Sequence, residues 1–223
     1  MQPIERLFHE HIGLAYDKQV YLADSIGSQH RWQFDLVPGT VTFNGQLTFA
    51  VQLLGTQSDE HNTWLWAWAN DASGLPDRLL RAARDLKAYG EQHDIAELTT
   101  AELPISEMIN GLRLAAVASG LCAAKCFYRG EYDGGALFLL VTDESFVRRV
   151  SDPVLRIERI FPEMLQQFSV ADQKLAFAHY LRAYDLTVTH TGNTVRGENT
   201  SGGAISGTFE PELTRLEREG PSA

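Results

Sequence analysis

Three tryptophans alternate along one predicted strand, and this row limits the ways in which the chain can fold. Residues 63–70 read Thr-Trp-Leu-Trp-Ala-Trp-Ala-Asn. Because side chains in a strand alternate between faces, Trp64, Trp66 and Trp68 are predicted to project from one face. Together the three indoles would bury roughly 450–750 Å², which is worth about 11–19 kcal/mol before the cost of ordering the chain. Soluble monomers rarely expose a patch of this size. The row is therefore a core layer or a recognition surface, and we interpret it as core.

Three β-rich runs around these tryptophans are predicted to form an antiparallel meander. They cover 31–37, 46–54 and 63–69, separated by Pro38-Gly39, by Asn44-Gly45 and by the polar stretch 56–62. Phe49, Val51 and Leu53 share one face of the middle run, and we assign them to the core as well. A further hairpin is predicted from 122–132 and 135–142, with Asp133-Gly134 as its turn and an apolar, central second strand.

Apolar residues at helical spacing predict several helices. The first helix covers about 4–26, the second runs from the turn at 71–76 to about residue 90, and the third runs from an N-cap at Ser106 to Gly120. A fourth begins at Asp152-Pro153 and is broken or kinked by Pro162. A fifth follows Ser169 and Asp172, which have the spacing of a capping box. Short β segments are predicted at 186–190, 194–198 and 204–209. For the charged tail, 210–223, a helix that frays towards its end is one option.

These elements together predict an α+β fold. An antiparallel sheet, made of a three-strand meander plus a two-strand hairpin, packs against helices and carries a small C-terminal β extension. We predict a main α+β domain over residues 1–169. Residues 170–223 then form a C-terminal helix, short β segments and a charged tail that pack on the main domain. Whether the C-terminal β segments join the main sheet is left open.

The charge of the chain narrows the class of partner. With 19 Lys plus Arg against 29 Asp plus Glu, the formal net charge is −10. Because this charge repels phosphate backbones, it argues against nucleic-acid binding and fits a basic protein partner better. The N-terminal segment lacks the apolar region of an export signal, and the longest apolar run, 112–124, is too short to span a bilayer. The sequence therefore predicts a soluble cytoplasmic protein without membrane association.

No recognisable catalytic or metal-binding pattern is found. Cys122 and Cys126 would lie about 13 Å apart on a strand at 3.3 Å per residue, too far to share a metal ion or a disulfide. His9 and His11 are two residues apart, so on a helix their imidazoles diverge. We predict no cofactor and no metal and assign no catalytic residue. Whether the chain is an enzyme stays uncertain, and the sequence favours a non-catalytic role.

Exposed polar residues beside two predicted turns are the candidate binding residues. They are Asp59 and Glu60 before the tryptophan strand, and Tyr128, Arg129, Glu131 and Asp133 around the hairpin end. A cation, carboxylates and a phenol in one cluster could bind a polar ligand or place Glu131 as a general base. The structural alternative is a solvated hairpin end at which Arg129 pairs with a carboxylate.

Parts of the sequence resemble a bacterial family known only as a domain of unknown function. The resemblance rests on 49–56, on the Trp-x-Trp-x-Trp-Ala-Asn string, which is its specific part, and on Tyr128-Arg129-Gly130. It covers about Leu7 to Phe168 and implies a shared fold without implying an activity. The order of elements is also similar to that of type III secretion chaperones, with an extra helix in the middle and an appended C-terminal part. That similarity implies an acidic, often dimeric protein that binds other proteins without chemistry.

Our leading hypothesis is a non-catalytic protein-binding module of the chaperone, adaptor or toxin-immunity type. The alternative is a small-molecule-binding protein or hydrolase with a pocket between sheet and helices, lined by tryptophan and by Tyr128, Arg129 and Glu131. A structural subunit of a larger assembly is a third option. The oligomeric state is left open, with a homodimer among the options.

Overall fold

A computed structural model describes residues 1–220 and has an α+β fold. The helices are α1 (Pro3–Ile26), α2 (Asp77–His93), α3 (Ala96–Thr99), α4 (Gly111–Leu121), α5 (Pro153–Gln167) and α6 (Gln173–Arg182). The strands are β1 (Trp32–Asp35), β2 (Thr40–Phe43), β3 (Leu47–Ser58), β4 (Thr63–Trp66), β5 (Glu102–Pro104), β6 (Cys126–Tyr132), β7 (Gly135–Val141), β8 (Thr187–Thr191), β9 (Thr194–Glu198), β10 (Ala204–Phe209) and β11 (Leu213–Glu219).

The strands form two separate antiparallel sheets, one of seven strands and one of four. In the first, the 12-residue strand β3 pairs with β2, β4 and β7, and β7 also pairs with β6. Strand β7 is thus an interior strand, as its apolar sequence predicted. The C-terminal segments do not join this sheet, because they form their own meander in the order β11-β10-β9-β8.

The chain divides into two compact units. The first comprises residues 1–5 and 18–148 and contains the seven-stranded sheet; the second comprises residues 6–17 and 149–223 and contains the four-stranded sheet. Helix α1 therefore contributes residues to both units. The boundary between residues 169 and 170, which the sequence predicts between a main domain and a C-terminal part packed on it, stays a prediction.

Two of the three tryptophans are core residues of the first unit. Trp64 and Trp66 have no exposed surface, and their rings meet edge to face with centroids 5.3 Å apart. Trp68 does not continue the row, because β4 ends at Trp66 and residues 67–69 form a short 3-10 turn. Its half-buried ring lies beneath the Lys87 ammonium, 4.5 Å from the ring centroid. The expectation that all three indoles share one strand face was wrong.

The three apolar residues assigned to β3 are buried together in a different part of that unit. Phe49, Val51 and Leu53 belong to a cluster that also contains Phe43 and Tyr128. Phe49 meets Phe146 edge to face, with ring centroids 5.3 Å apart.

Several predicted boundaries differ from the structure for local reasons. Asn110, not Ser106, caps α4, because its side chain accepts a hydrogen bond from the Arg113 backbone N–H. Helix α5 runs through Pro162 as one element instead of breaking there. Asp172 caps α6, because its side chain accepts a hydrogen bond from the Leu175 backbone N–H. The charged tail does not form a helix: residues 213–219 form the edge strand β11, and the last three residues of that predicted tail lie outside the described residues.

The second unit has a buried polar centre where α1 packs on α5. Asp17 has no exposed surface, and its carboxylate accepts a hydrogen bond from the Arg156 guanidinium at 2.6 Å and another from the Tyr184 hydroxyl. The Asp17 backbone oxygen accepts a further bond from Arg156 at 3.3 Å. Nearby, the Tyr16 hydroxyl donates to Glu163 at 2.8 Å; burial, followed by this bond and the negative charge, raises the pKa of Tyr16 to about 12. Buried charges require this kind of compensation.

Candidate functional site

Two reverse turns meet at one end of the seven-stranded sheet. The antiparallel register pairs Ser58, at the end of β3, with Gly135, at the start of β7. The turn after β3 and the turn before β7 are therefore neighbours, and the Asp59 backbone N–H donates to the Gly134 carbonyl at 3.0 Å. Because of this hydrogen bond, the two turns form one continuous surface.

Three exposed carboxylates, Asp59, Glu60 and Asp133, lie on these two turns, and a fourth, Glu131, lies at the end of β6; we call the four residues the acidic tip. The turn backbones are fixed by residues that tolerate a positive φ, since Asn62 has a φ of 53° and Gly134 a φ of 85°. The Ser58 hydroxyl accepts a hydrogen bond from the His61 backbone N–H at 3.2 Å. The structure thus brings together four of the six residues that the sequence proposed for binding.

Apolar side chains are exposed at the same end of the sheet. Tyr132, between two tip residues, is 47% exposed, and Met108 is 41% exposed. Met108 lies in the segment that joins β5 to α4, and that segment is attached at both ends to β3 and its turn. The Ile105 N–H donates to the Asn62 carbonyl at 2.8 Å, and the Gly111 N–H donates to the Gln57 side-chain oxygen at 3.0 Å. The acidic tip is therefore bordered by exposed apolar groups.

Of the other two proposed binding residues, Arg129 contacts a tip residue whereas Tyr128 does not. Tyr128 points into the core, where only 7% of its surface is exposed and the His30 Nε2 atom lies 3.0 Å from its hydroxyl. Burial, followed by the charge of Glu131, raises the pKa of Tyr128 to about 12. Arg129 is the next residue in the strand and forms an ion pair with Glu131. Consecutive strand residues face opposite sides, so Tyr128, Arg129 and Glu131 do not line one pocket.

The two cysteine thiols have environments that suppress nucleophilic chemistry. Burial, followed by the charge of Asp85, raises the pKa of Cys122 to about 11, and burial raises the pKa of Cys126 to about 12. The thiolate is the reactive form, so both side chains are protonated near neutral pH.

We predict slow alkylation of Cys122. Relative to an ordinary thiol with a pKa of 9.0, a pKa of about 11 lowers the thiolate fraction at pH 7 by about 100-fold. The rate of Cys122 modification by iodoacetamide, followed by mass spectrometry, is expected to rise with pH beyond the pH at which free cysteine reaches its plateau. A plateau near pH 9 would contradict this environment.

A cleft of about 460 Å³ lies elsewhere in the first unit. Its lining includes Arg81 and Asp85 from α2, Tyr89 one turn further along the helix, and Cys122 and Thr142. The tryptophans of the predicted pocket do not line this cleft, and neither do Tyr128, Arg129 and Glu131. A ligand bound here would meet one cation, one carboxylate and a phenol ring.

The described residues contain neither a group of metal ligands nor a membrane-spanning helix. Between residues 1 and 220, no three His, Cys, Asp or Glu residues are grouped so that they could hold a metal ion. His9 is buried on α1, and His11 is half-buried two residues further along. Within the same part of the chain, no helix is long and apolar enough to cross a membrane.

A family model matches most of the first unit. The model of the "Family of unknown function (DUF6882)" matches residues 5–144. The chain belongs to this family. The DUF6882 match contains the acidic tip and ends close after β7, earlier than the Phe168 limit expected from the sequence. No curated protein and no solved structure matches the chain. The signature role of the tryptophan string and the similarity to secretion chaperones stay predictions.

Sequence reasoning placed the tip residues on turns but did not join the turns. The missing information was the long-range pairing of β3 with β7, which connects residues about 80 positions apart. The exposed Met108 beside the tip was missed because the sequence suggested that Ser106 begins a helix there.

Proposed function

We propose that this chain is a non-catalytic protein-binding module that holds a basic partner on the acidic tip and the apolar groups beside it. The observation that carries the proposal is the Asp59–Gly134 hydrogen bond, because it unites the turns that carry the exposed carboxylates Asp59, Glu60 and Asp133, next to Glu131 and Tyr132 at the end of β6. Chaperone, adaptor and toxin-immunity roles all fit such a module. The cytoplasmic location expected from the sequence stays a prediction.

The composition of this surface suits recognition of a cationic protein. Exposed carboxylates on a chain with a net charge of −10 attract a basic partner from a distance and raise the association rate. Apolar and aromatic groups provide the contact energy once the surfaces meet, because interface anchors are enriched in Tyr. The Arg129–Glu131 pair offsets part of the negative charge, so Asp59, Glu60 and Asp133 are the principal acidic contacts.

The cleft supports a second candidate function, the binding of a small polar molecule. Arg81 and Asp85 lie one helical turn apart on α2, and Tyr89 follows at the next turn, so all three face the same cavity. A zwitterionic ligand with a flat apolar part would satisfy these groups. We expect such a ligand to raise the melting temperature of the protein, and the Arg81→Gln variant to lose that increase.

A charge-matched pair of variants tests the protein-binding proposal. The tip variant carries Asp59→Asn, Glu60→Gln, Glu131→Gln and Asp133→Asn. The control variant neutralises four exposed carboxylates on other parts of the chain and has the same net charge: Asp24→Asn, Asp71→Asn, Glu210→Gln and Glu212→Gln. The probe is a labelled peptide of Lys and Leu residues, and fluorescence anisotropy at physiological salt measures its dissociation constant.

The tip variant is expected to bind the peptide about tenfold more weakly than the wild type. Four exposed charge pairs at roughly 0.3–0.5 kcal/mol each sum to about 1.4 kcal/mol, which corresponds to that factor. The control variant should lose less than half as much binding free energy as the tip variant. In the wild-type background, Tyr132→Ala should also weaken peptide binding. Equal losses in the two variants would show that only net charge matters and would contradict the proposed site.

A further inference from the structure

Strand β8 forms an open edge of the four-stranded sheet. Within residues 1–220 it pairs with β9 alone, and Thr187, Thr189, His190 and Thr191 are exposed. An edge strand presents backbone N–H and C=O groups that can pair with another strand. Natural sheets usually protect such edges with charged side chains, proline or a bulge.

The two edges of this sheet differ in their protection. Strand β11, at the opposite edge, has four charged side chains in seven residues, and its pairing with β10 contains a register shift at Thr208/Phe209. Strand β8 reads Thr-Val-Thr-His-Thr, with no Lys, Arg, Asp, Glu, Pro or Gly. Four of its five residues are β-branched, which favours the extended conformation. One edge is therefore protected, whereas the other is suited to pairing.

We propose that β8 pairs with β8 of a second copy of this chain, in antiparallel orientation about a two-fold axis at Thr189. This register places Thr187 opposite Thr191, Val188 opposite His190, and Thr189 opposite its own counterpart. The strand is nearly symmetric about its centre, so threonine meets threonine at three of the five positions, and Val188 meets His190 at the other two. Self-complementarity of this kind is what a two-fold interface requires.

Turns at both ends of β8 limit the length of this pairing. Asp185 has a φ of 59° in the turn that follows α6, and Gly192 has a φ of 57° in the turn that leads into β9. Neither residue continues the strand, so the paired segment is Thr187–Thr191 in each copy. The net charge of −10 opposes association of two copies.

The size of this interface indicates a transient dimer. Five paired residues per copy form a short interface, and small interfaces are usually weak. Two sheets of four strands would join into one sheet of eight. The inference is independent of the acidic tip, because β8 lies in the second unit and the tip in the first.

A cysteine on the proposed axis tests this arrangement in the full chain. Antiparallel neighbours have Cα atoms about 4.5–5.5 Å apart, within the range that a disulfide spans. Under mild oxidation, Thr189→Cys is expected to form a covalent dimer in most chains on a non-reducing gel. Thr214→Cys is the matched control, because it makes the same substitution at an exposed position of the opposite edge. A Thr189→Cys yield no higher than that of Thr214→Cys overturns the inference.

Sedimentation provides a second test that needs no new covalent bond. The wild type is expected to shift from monomer to dimer as its concentration rises. Thr189→Lys, which sets two ammonium groups opposite each other, should remain monomeric. A wild type that is monomeric at the highest attainable concentration overturns the inference, and so does a dimer that Thr189→Lys leaves intact. Pairing of β8 with a strand of a different protein would give the first of these contradicting results.

Discussion

Replacing Asp17 with alanine is expected to lower the free energy of unfolding by about 3–5 kcal/mol, because the change removes one partner of a buried ion pair. Asp17 is fully buried, and its carboxylate accepts hydrogen bonds from both Arg156 and Tyr184. The Arg156 side chain is only 15% exposed, so water cannot replace the lost carboxylate fully. Urea unfolding followed by far-UV circular dichroism measures the effect.

Two further variants show whether the loss comes from the unpaired charge. Asp24→Ala changes an exposed carboxylate on the same helix and should cost less than about 0.5 kcal/mol. The double variant Asp17→Leu with Arg156→Met removes both charges and keeps most of the volume. It should be more stable than Asp17→Ala, since replacing a whole buried pair is tolerated better than breaking it. An Asp17→Ala variant whose free energy of unfolding lies within about 1 kcal/mol of the wild-type value would contradict the proposed importance of the buried ion pair.

Replacing Trp64 with alanine is the second change with a large expected effect, a loss of about 3–5 kcal/mol in stability. The ring of Trp64 is fully buried, and its centroid lies 5.3 Å from those of both Trp66 and Phe138. Removing it leaves a cavity that strand β4 cannot close, because Trp64 also contacts the backbone region of Gly55 on β3. Urea unfolding of this variant gives the loss directly.

Trp68 is the matched control for that experiment. It carries the same side chain four residues later, but it lies in a 3-10 turn, is half-buried and touches the exposed part of Lys87. Trp68→Ala is therefore expected to cost clearly less than Trp64→Ala. Equal losses would support the original interpretation of one continuous tryptophan row and would contradict the structure.

Elements with strong local signals could be predicted from the sequence. The hairpin of β6 and β7 follows from the Asp133-Gly134 turn between two apolar runs, and α1 follows from apolar residues at helical spacing. Strand β2 was missed because its four residues lie between two turn signals, which left no room for a separate run. Strand β5 and helix α3 were missed because they are only three and four residues long, too short to show a periodic pattern.

Other differences arose where tertiary contacts outweighed local preference. Trp68 has strand propensity, but the chain turns after Trp66 so that α2 can follow. Pro162 lacks a backbone donor, but α5 continues past it with Ile160, Phe161 and Met164 buried. Burial of those side chains offsets the cost of one missing hydrogen bond.

The candidate site was predictable in its residues but not in its geometry. Acidic residues at turns are visible in the sequence, and Asp59, Glu60, Glu131 and Asp133 were all chosen for that reason. Their meeting depends on the register of β3 against β7. No local pattern encodes that register, because it is set by the burial of both strands against the rest of the first unit.

Site-specific photo-crosslinking at Tyr132 in cells that produce the protein tests the central claim most directly. A benzoylphenylalanine at Tyr132 is expected to form an adduct with a protein that has a basic surface, and the four substitutions of the tip variant should strongly reduce the yield of that adduct. The same residue placed at Val147, which is exposed at 58%, is the positional control and should give no such adduct. Adducts that form equally at both positions, or whose yield is unchanged when the tip is neutral, would contradict the claim that the acidic tip is the binding surface.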